Sequence, residues 1–152
     1  MRGKLALVDT NILLTATDRS RPEHTEARAV FSQALAAGVH LCITAQIIRE
    51  YLVVATRPVE VNGLGLSSTE AIHNIENFKR RLLLLEETEL VTSELLSLVR
   101  SYKLSGKSIH DANLIAVMHE QNVHLLITQN PSDFADFTDI QNFSPSSFLD
   151  LL

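Results

Sequence analysis

The sequence predicts an α/β protein, a three-layer α/β/α sandwich around a mostly parallel sheet of four to five strands. Three observations predict it. Short apolar runs alternate with longer segments of helical spacing along the whole chain. The run Leu125-Leu126-Ile127 is apolar throughout, as a strand covered on both faces is. No repeat, low-complexity stretch or long linker interrupts the 152 residues, a length that fits one domain over 1–152.

Lys4 to Val8 reads as the first strand, and Ile12 to Ala16 as a possible helical turn behind it. Pro22 to Ala37 is expected to be helical, with Pro22 in its first turn and Gly38 closing it. Val39 to Ile43 is a second strand. Thr44 can cap a helix to about Thr56, with Pro58 just beyond its end. Asn62-Gly63 and Gly65 mark a loop over 59–66. Ser67 and Glu70 form a capping box for a helix to about Arg81, and Leu82 to Leu85 is a brief third strand. A helix from Thr92 or Ser93 ends before Gly106, and another covers Ser108 to Gln121. Val123 to Thr128 is the fourth strand, Asn130-Pro131 turns the chain, Ile140 to Phe143 is a small last strand, and Pro145 to Leu151 a short helix. Ligands of such sheets gather where strands end, and Asp9 and Thr128 both fall at strand ends.

Composition narrows the function. A single cysteine, Cys42, forbids an intrachain disulfide and fits the cytoplasm; between Leu41 and Ile43 it reads as a core residue. The basic start Met1-Arg2-Gly3-Lys4 precedes an apolar run that Asp9 interrupts at once, unlike a secretory signal. No apolar stretch approaches the roughly 20 residues that span a bilayer. The net charge of −5 argues against nucleic-acid binding, although clustered acids that hold metal ions contribute to such a charge and the ions offset it. Basic residues group at Arg19 and Arg21, at Lys79-Arg80-Arg81, and at Lys103 and Lys107; each group alone reads as a solvated face.

Three acids sit in apolar settings. Asp9 ends the first strand, and may be read equally as a helix cap or a metal ligand. Glu50 follows Ile47 by three positions and precedes Val54 by four, which puts it on an apolar face; alone it leans to a structural role. Asp111 heads the stripe Leu114, Ile115, Met118, but Ser108 and Asp111 can also form a capping-box variant. Asp133, before Phe134, reads as an exposed loop carboxylate. Taken together, acids from distant parts of the chain can meet at one edge of a parallel sheet. Oxygen ligands select hard cations such as magnesium or manganese.

Other chemistries fail. His119 and His124 are one residue too far apart for the zinc helix motif and would point apart at about 100° per residue. His110 and Asp111, adjacent on a helix, do not form a dyad. No glycine-rich phosphate loop or Gly-x-Ser-x-Gly elbow occurs.

Several segments resemble a known family. They are Val8-Asp9-Thr10-Asn11-Ile12-Leu13, Ile47-Ile48-Arg49-Glu50-Tyr51, Thr56-Arg57-Pro58, His110-Asp111-Ala112-Asn113-Leu114-Ile115-Ala116, and Leu126-Ile127-Thr128-Gln129-Asn130, with Asp133-Phe134 and Pro145 completing the order. In sequence and spacing they are similar to PIN-domain ribonucleases, and within these to the VapC-type toxins of prokaryotic toxin–antitoxin pairs. The resemblance implies a PIN-like fold and a Mg²⁺- or Mn²⁺-dependent endoribonuclease site. By it Asp9, Glu50 and Asp111 are the core acids. Asp9 and Asp111 bind the metal directly, and Glu50 works through water. Asn11 and Thr128 support the site. The family often places a fourth acid where this chain has Gln129-Asn130; Asp133 could substitute. The implied partners are RNA, a cognate antitoxin whose arginine could pair with the carboxylates, and a second copy of the chain, with no membrane.

Three functions are weighed. The first is the endoribonuclease toxin, with base choice set near Arg49, Arg57 and the Asn62–Leu66 loop. The second is a catalytically impaired PIN-fold module that binds RNA or protein, supported by Gln129-Asn130. A phosphotransfer receiver is set aside, because Asp9 has no early acidic partner and Thr128 is followed by glutamine rather than preceding a lysine.

Overall fold

A computed structural model describes residues 3–152; the basic Met1 and Arg2 lie outside the described residues. Five parallel strands run in the order β3-β2-β1-β4-β5. They are β1 (Lys4–Val8), β2 (Val39–Thr44), β3 (Leu83–Leu85), β4 (Leu125–Ile127) and β5 (Gln141–Phe143). β1 lies in the middle, and Ala6, Leu7 and Val8 are wholly buried.

Among the described residues seven helices complete the layers: α1 (Thr10–Thr17), α2 (His24–Gln33), α3 (Ala45–Thr56), α4 (Ser68–Lys79), α5 (Glu89–Tyr102), α6 (Ser108–Glu120) and α7 (Pro145–Leu149). The main helix contacts fall into two groups. α1 touches α2 and α3, α3 touches α4, and α2 touches α7, while α5 packs on α6. Right-handed crossovers account for this division. The steps β1 to β2 and β2 to β3 move one way across the sheet, and β3 to β4 moves the other way, so its helices cover the opposite face.

Local signals fixed several boundaries. Thr44 Oγ1 accepts from the Ile47 amide at 3.2 Å, and the Ser67–Glu70 capping box is complete. Three helices differ from expectation. The stretch after Asp9 is a full helix, α1, rather than a single turn. α2 is shorter than 22–37: Glu23 takes a left-handed conformation (φ 63°), which places the helix start after it. At the other end Gly38 (φ 82°) reverses the chain, and the Val39 amide donates back to the Ala34 carbonyl. α5 begins a turn earlier than Thr92, at Glu89, because its apolar stripe reaches back through Leu95 to Val91, which is buried. The last two strands and α7 are also trimmed by a residue or more.

The loop after α3 is more ordered than a turn signal suggests. Val59–Val61 forms a 3-10 turn. The Gly63 amide donates to the Pro58 carbonyl, Leu64 to Val54 and Leu66 to Ala55. A side chain at Gly63 would collide with the Arg57 backbone, so only glycine permits this fold-back.

Cys42 is buried on β2, and burial pushes its thiol up to about 12. No helix among the described residues is long and apolar enough to cross a membrane.

Candidate active site

The strand order reverses at β1 and β4. From β1 the chain moves outward to β2, and from β4 it moves outward to β5. A crevice opens above the carboxyl ends at such a point. Asp9 follows β1 there, and Thr128 follows β4.

Asp9 takes one of the two roles its position allows, the cap. It is the N-cap of α1, with Oδ1 accepting from the Thr10 amide at 2.7 Å. Its other oxygen, Oδ2, accepts from the Thr128 hydroxyl at 2.8 Å and from Asn11 Nδ2 at 3.3 Å. Asn11 Oδ1 in turn accepts from the Gln129 amide at 3.1 Å, which ties β4 to α1. Burial raises the Asp9 pKa; the Thr128 and Thr10 hydrogen bonds oppose the rise, and the charges of Glu50 and Asp133 add to it.

Glu50 reaches the same place from α3. Oε2 accepts from the Thr10 hydroxyl and Oε1 from Gln46 Nε2, both at 2.8 Å. Gln46, almost wholly buried, also donates to the His110 carbonyl at 3.0 Å and accepts from Asn113 Nδ2 at 2.7 Å. One amide therefore links the Glu50 helix to the N-terminal turn of α6, where Asp111 lies.

Asp111 is different. The Ser108–Asp111 capping box does not form. Lys107 is the N-cap without a side-chain bond, and Ser108 donates to the Ser105 carbonyl instead. Asp111 does lie in the first turn of α6, where the helix dipole favours an acid, but it caps nothing. Its pKa is raised to about 6, chiefly by burial, then by the charges of Asp9, Asp133 and Glu50, with His110 pulling slightly back. The charges that act on one another in this way are those of Asp9, Glu50, Asp111 and Asp133. Asp133 is exposed, as expected of a loop acid, but buried Phe134 pins its 3-10 turn beside the crevice. No lysine or arginine forms an ion pair with any of the four among the described residues.

Gln129 leaves the site. Its side chain accepts from the buried Thr15 hydroxyl at 2.8 Å and lies 3.4 Å from both the Pro22 carbonyl and Glu23 Oε2. His119 and His124 do point apart. His119 Nδ1 is 2.8 Å from Glu94, and Nε2 stands at 2.8 Å from Asp139 without hydrogen-bond alignment. His124 faces Asn122.

The donor set suits a hard divalent cation, being all oxygen, anionic and uncompensated. Among the described residues no three His, Cys, Asp or Glu side chains stand close enough to cage an ion as placed. The acids form a loose group. That fits an ion such as Mg²⁺, which takes one or two carboxylates and keeps several waters.

Sequence reasoning missed Thr10, Gln46 and Asn113 as parts of the site. For Gln46 a signal existed: it precedes Glu50 by four positions, so both lie on one helix face. Nothing local could pair Thr10 with Glu50, which needs the tertiary fold.

Comparison with known proteins identifies the family and the fold. Residues 6–139 match the PIN domain family model. The chain is 29% identical over 131 residues to Ribonuclease VapC24 of Mycobacterium tuberculosis, covering 86% of this chain and 89% of that protein. The fold is similar to that in VapBC-1 from nontypeable Haemophilus influenzae (TM-score 0.65, 19% identity, 93% of this chain and 98% of that one). It is also similar to a toxin–antitoxin complex from Klebsiella pneumoniae (TM-score 0.62, 23% identity, 92% and 97%). At these identities the solved structures speak for the fold alone.

Proposed function

This chain belongs to the PIN domain family, and from that premise we propose that it is a metal-dependent endoribonuclease, the toxin of a toxin–antitoxin pair. One observation carries the reading. Thr10 bonds both Asp9 and Glu50, Gln46 ties Glu50 to the turn that carries Asp111, and among the described residues no lysine or arginine pairs with these acids. An external cation would offset the cost of keeping such a group ionised. The 29% identity to a protein named a ribonuclease over most of both chains supports the same class.

Asp9 and Asp111 would hold the ion, Mg²⁺ or Mn²⁺. When bound, such an ion lowers the pKa of water and neutralises charge on a transferring phosphoryl group. The chain's own residues prepare that place. Thr128 and Asn11 aim Asp9 Oδ2, and Thr10 and Gln46 hold both oxygens of Glu50, fixing its carboxylate where it can orient a water. Asp133 fills the role of the fourth acid that Gln129 has left. The products would carry a 5′-phosphate and a 3′-hydroxyl.

The partners follow from the same reading. A cognate antitoxin would cover the uncompensated carboxylates, with an arginine as the natural counter-ion. A homodimer would set two crevices on one RNA surface. The compartment is the cytoplasm, where a buried free thiol such as Cys42 stays reduced.

The test is RNA incubated with Mn²⁺ and wild type, Asp9→Asn or Asp111→Asn. The reading expects cleavage by wild type alone, stopped by a chelator. Wild type that binds RNA without cutting it would make the chain a binding module. Equal cleavage by all three would mark a contaminant.

A further inference from the structure

The Lys79-Arg80-Arg81 group does more than solvate a face. A cleft of about 760 Å³ lies between α2, α4 and the end of α1, and Arg28, Arg80 and Arg81 line it together with Asn74 and Asn77. A second hollow of about 570 Å³ shares Phe31, Ser32, Arg80 and Arg81 with the first and continues to His40 at the start of β2. The two make one track. No aspartate or glutamate lines either part. None of the three arginines is ion-paired among the described residues. In a chain of net charge −5 this is a local reversal of sign.

Its shape and chemistry narrow the occupant. A continuous track suits a polymer better than a small anion. Arginine forks bind phosphate oxygens in pairs. The Asn74 and Asn77 amides and the Ser32 hydroxyl add neutral groups that sugars and bases use, and Phe31 and Phe78 add aromatic surface of the kind bases stack on. The track begins roughly two helical turns from the active centre and leads away from it, to the starts of β2 and β3 at the opposite edge of the sheet. Thr17, at its edge, ends α1, and Asp9 caps the other end of that helix, about 12 Å away at 1.5 Å per residue. Tyr51, next to Glu50 in sequence, joins the two, with its hydroxyl 3.0 Å from Thr17 and accepting from Asn74 at 3.1 Å.

We propose that the track through Arg28, Arg80 and Arg81 holds backbone phosphates of the RNA strand whose scissile bond lies at the acids. The choice of RNA rests on the ribonuclease reading above; the charge reversal and the continuity of the track do not.

The test measures binding of a fluorescein-labelled single-stranded RNA to the full chain in chelator, so that nothing is cut, over a range of salt. The variants are the triple substitution Arg28→Gln, Arg80→Gln, Arg81→Gln, its three single members, and the triple lysine counterpart. The glutamine triple is expected to lose about tenfold in affinity, and its log–log salt slope to shrink by about 2, from about 0.7 per phosphate contact. The single variants should share that loss, and the lysine triple should keep the slope. Thermal melts identify any variant that is misfolded, and the singles then decide. RNA binding that is unchanged in the glutamine variants overturns the track and leaves the nuclease untouched. A wild type that neither binds nor cleaves RNA sinks both. If an oligoglutamate peptide binds more tightly than RNA, with the same arginine dependence, the track belongs to a protein partner and the proposal fails.

Discussion

The two walls of the crevice are built differently. On the β1–β4 wall Asp9 is held at both oxygens, by Thr10 on one and by Thr128 and Asn11 on the other. On the α6 wall Asp111 has charge repulsion around it and no stabilising hydrogen bond behind its shift. Both carboxylates are harder to ionise than usual. One has internal compensation, and the other waits for charge from outside. The difference teaches that this site is preorganised on one side and adaptable on the other, the side that the proposed cation would complete.

The largest test of that asymmetry replaces each acid. Asp9→Asn and Asp111→Asn should each cut cleavage by more than the roughly 100-fold typical of losing an outer-shell partner. They should part company in stability. In chelator, Asp111→Asn removes a repelled charge and should raise the Tm, by about 2–4 °C for each kcal/mol relieved. A lowered Tm would mean that Asp111 has a partner in the fold.

Next comes Thr128→Val, which keeps shape and deletes the donor to Asp9. Leaving a buried acceptor short should cost about 1–3 kcal/mol and lower cleavage about 10–100-fold. Gln46→Leu should cost a similar amount of stability, since it frees both Glu50 and the His110 carbonyl. If either variant melts and cuts like wild type, the wired wall is not needed.

The pH dependence is smaller. Asp111 titrates near 3.8 when unfolded and at about 6 when folded. Between these values the folded state binds more protons, so metal-free stability should fall as pH rises from about 4 to 6 and then level off. Ion binding competes with that proton. The Tm gain from Mn²⁺ should therefore grow as pH rises through about 6. A gain that is flat across this range would remove Asp111 from the ligand set. Smallest of all, His119→Asn cuts a link between α5, α6 and the Asp139 loop at the far end of α6. It should cost no more than about 1 kcal/mol, as exposed pairs do, and leave cleavage alone.

What could be read before folding was whatever a short stretch decides by itself. Thr44 and Ser67 announce helix starts because a cap acts on an amide three residues away. Asp9 and Thr128 could be placed at one edge because strand direction follows from connection type. The α2 boundaries escaped because Glu23 adopts a backbone state few residues announce. Gln129 stands where an acid was looked for, and its turn toward Thr15 depends on α1, far off in the chain. The Gln46 bridge between α3 and α6 likewise exists only once β2 and β4 have brought those helices together.

Gly63, folded hard against Arg57, gives the segment after α3 a fixed outline. A molecule arriving there meets a mould already cast, with Val59 and Val61 as its outward relief. If the proposed nuclease reads its substrate at that margin, the choice is made by fit at first encounter. Recontouring those two valines would retune it, whereas replacing the glycine would break the mould.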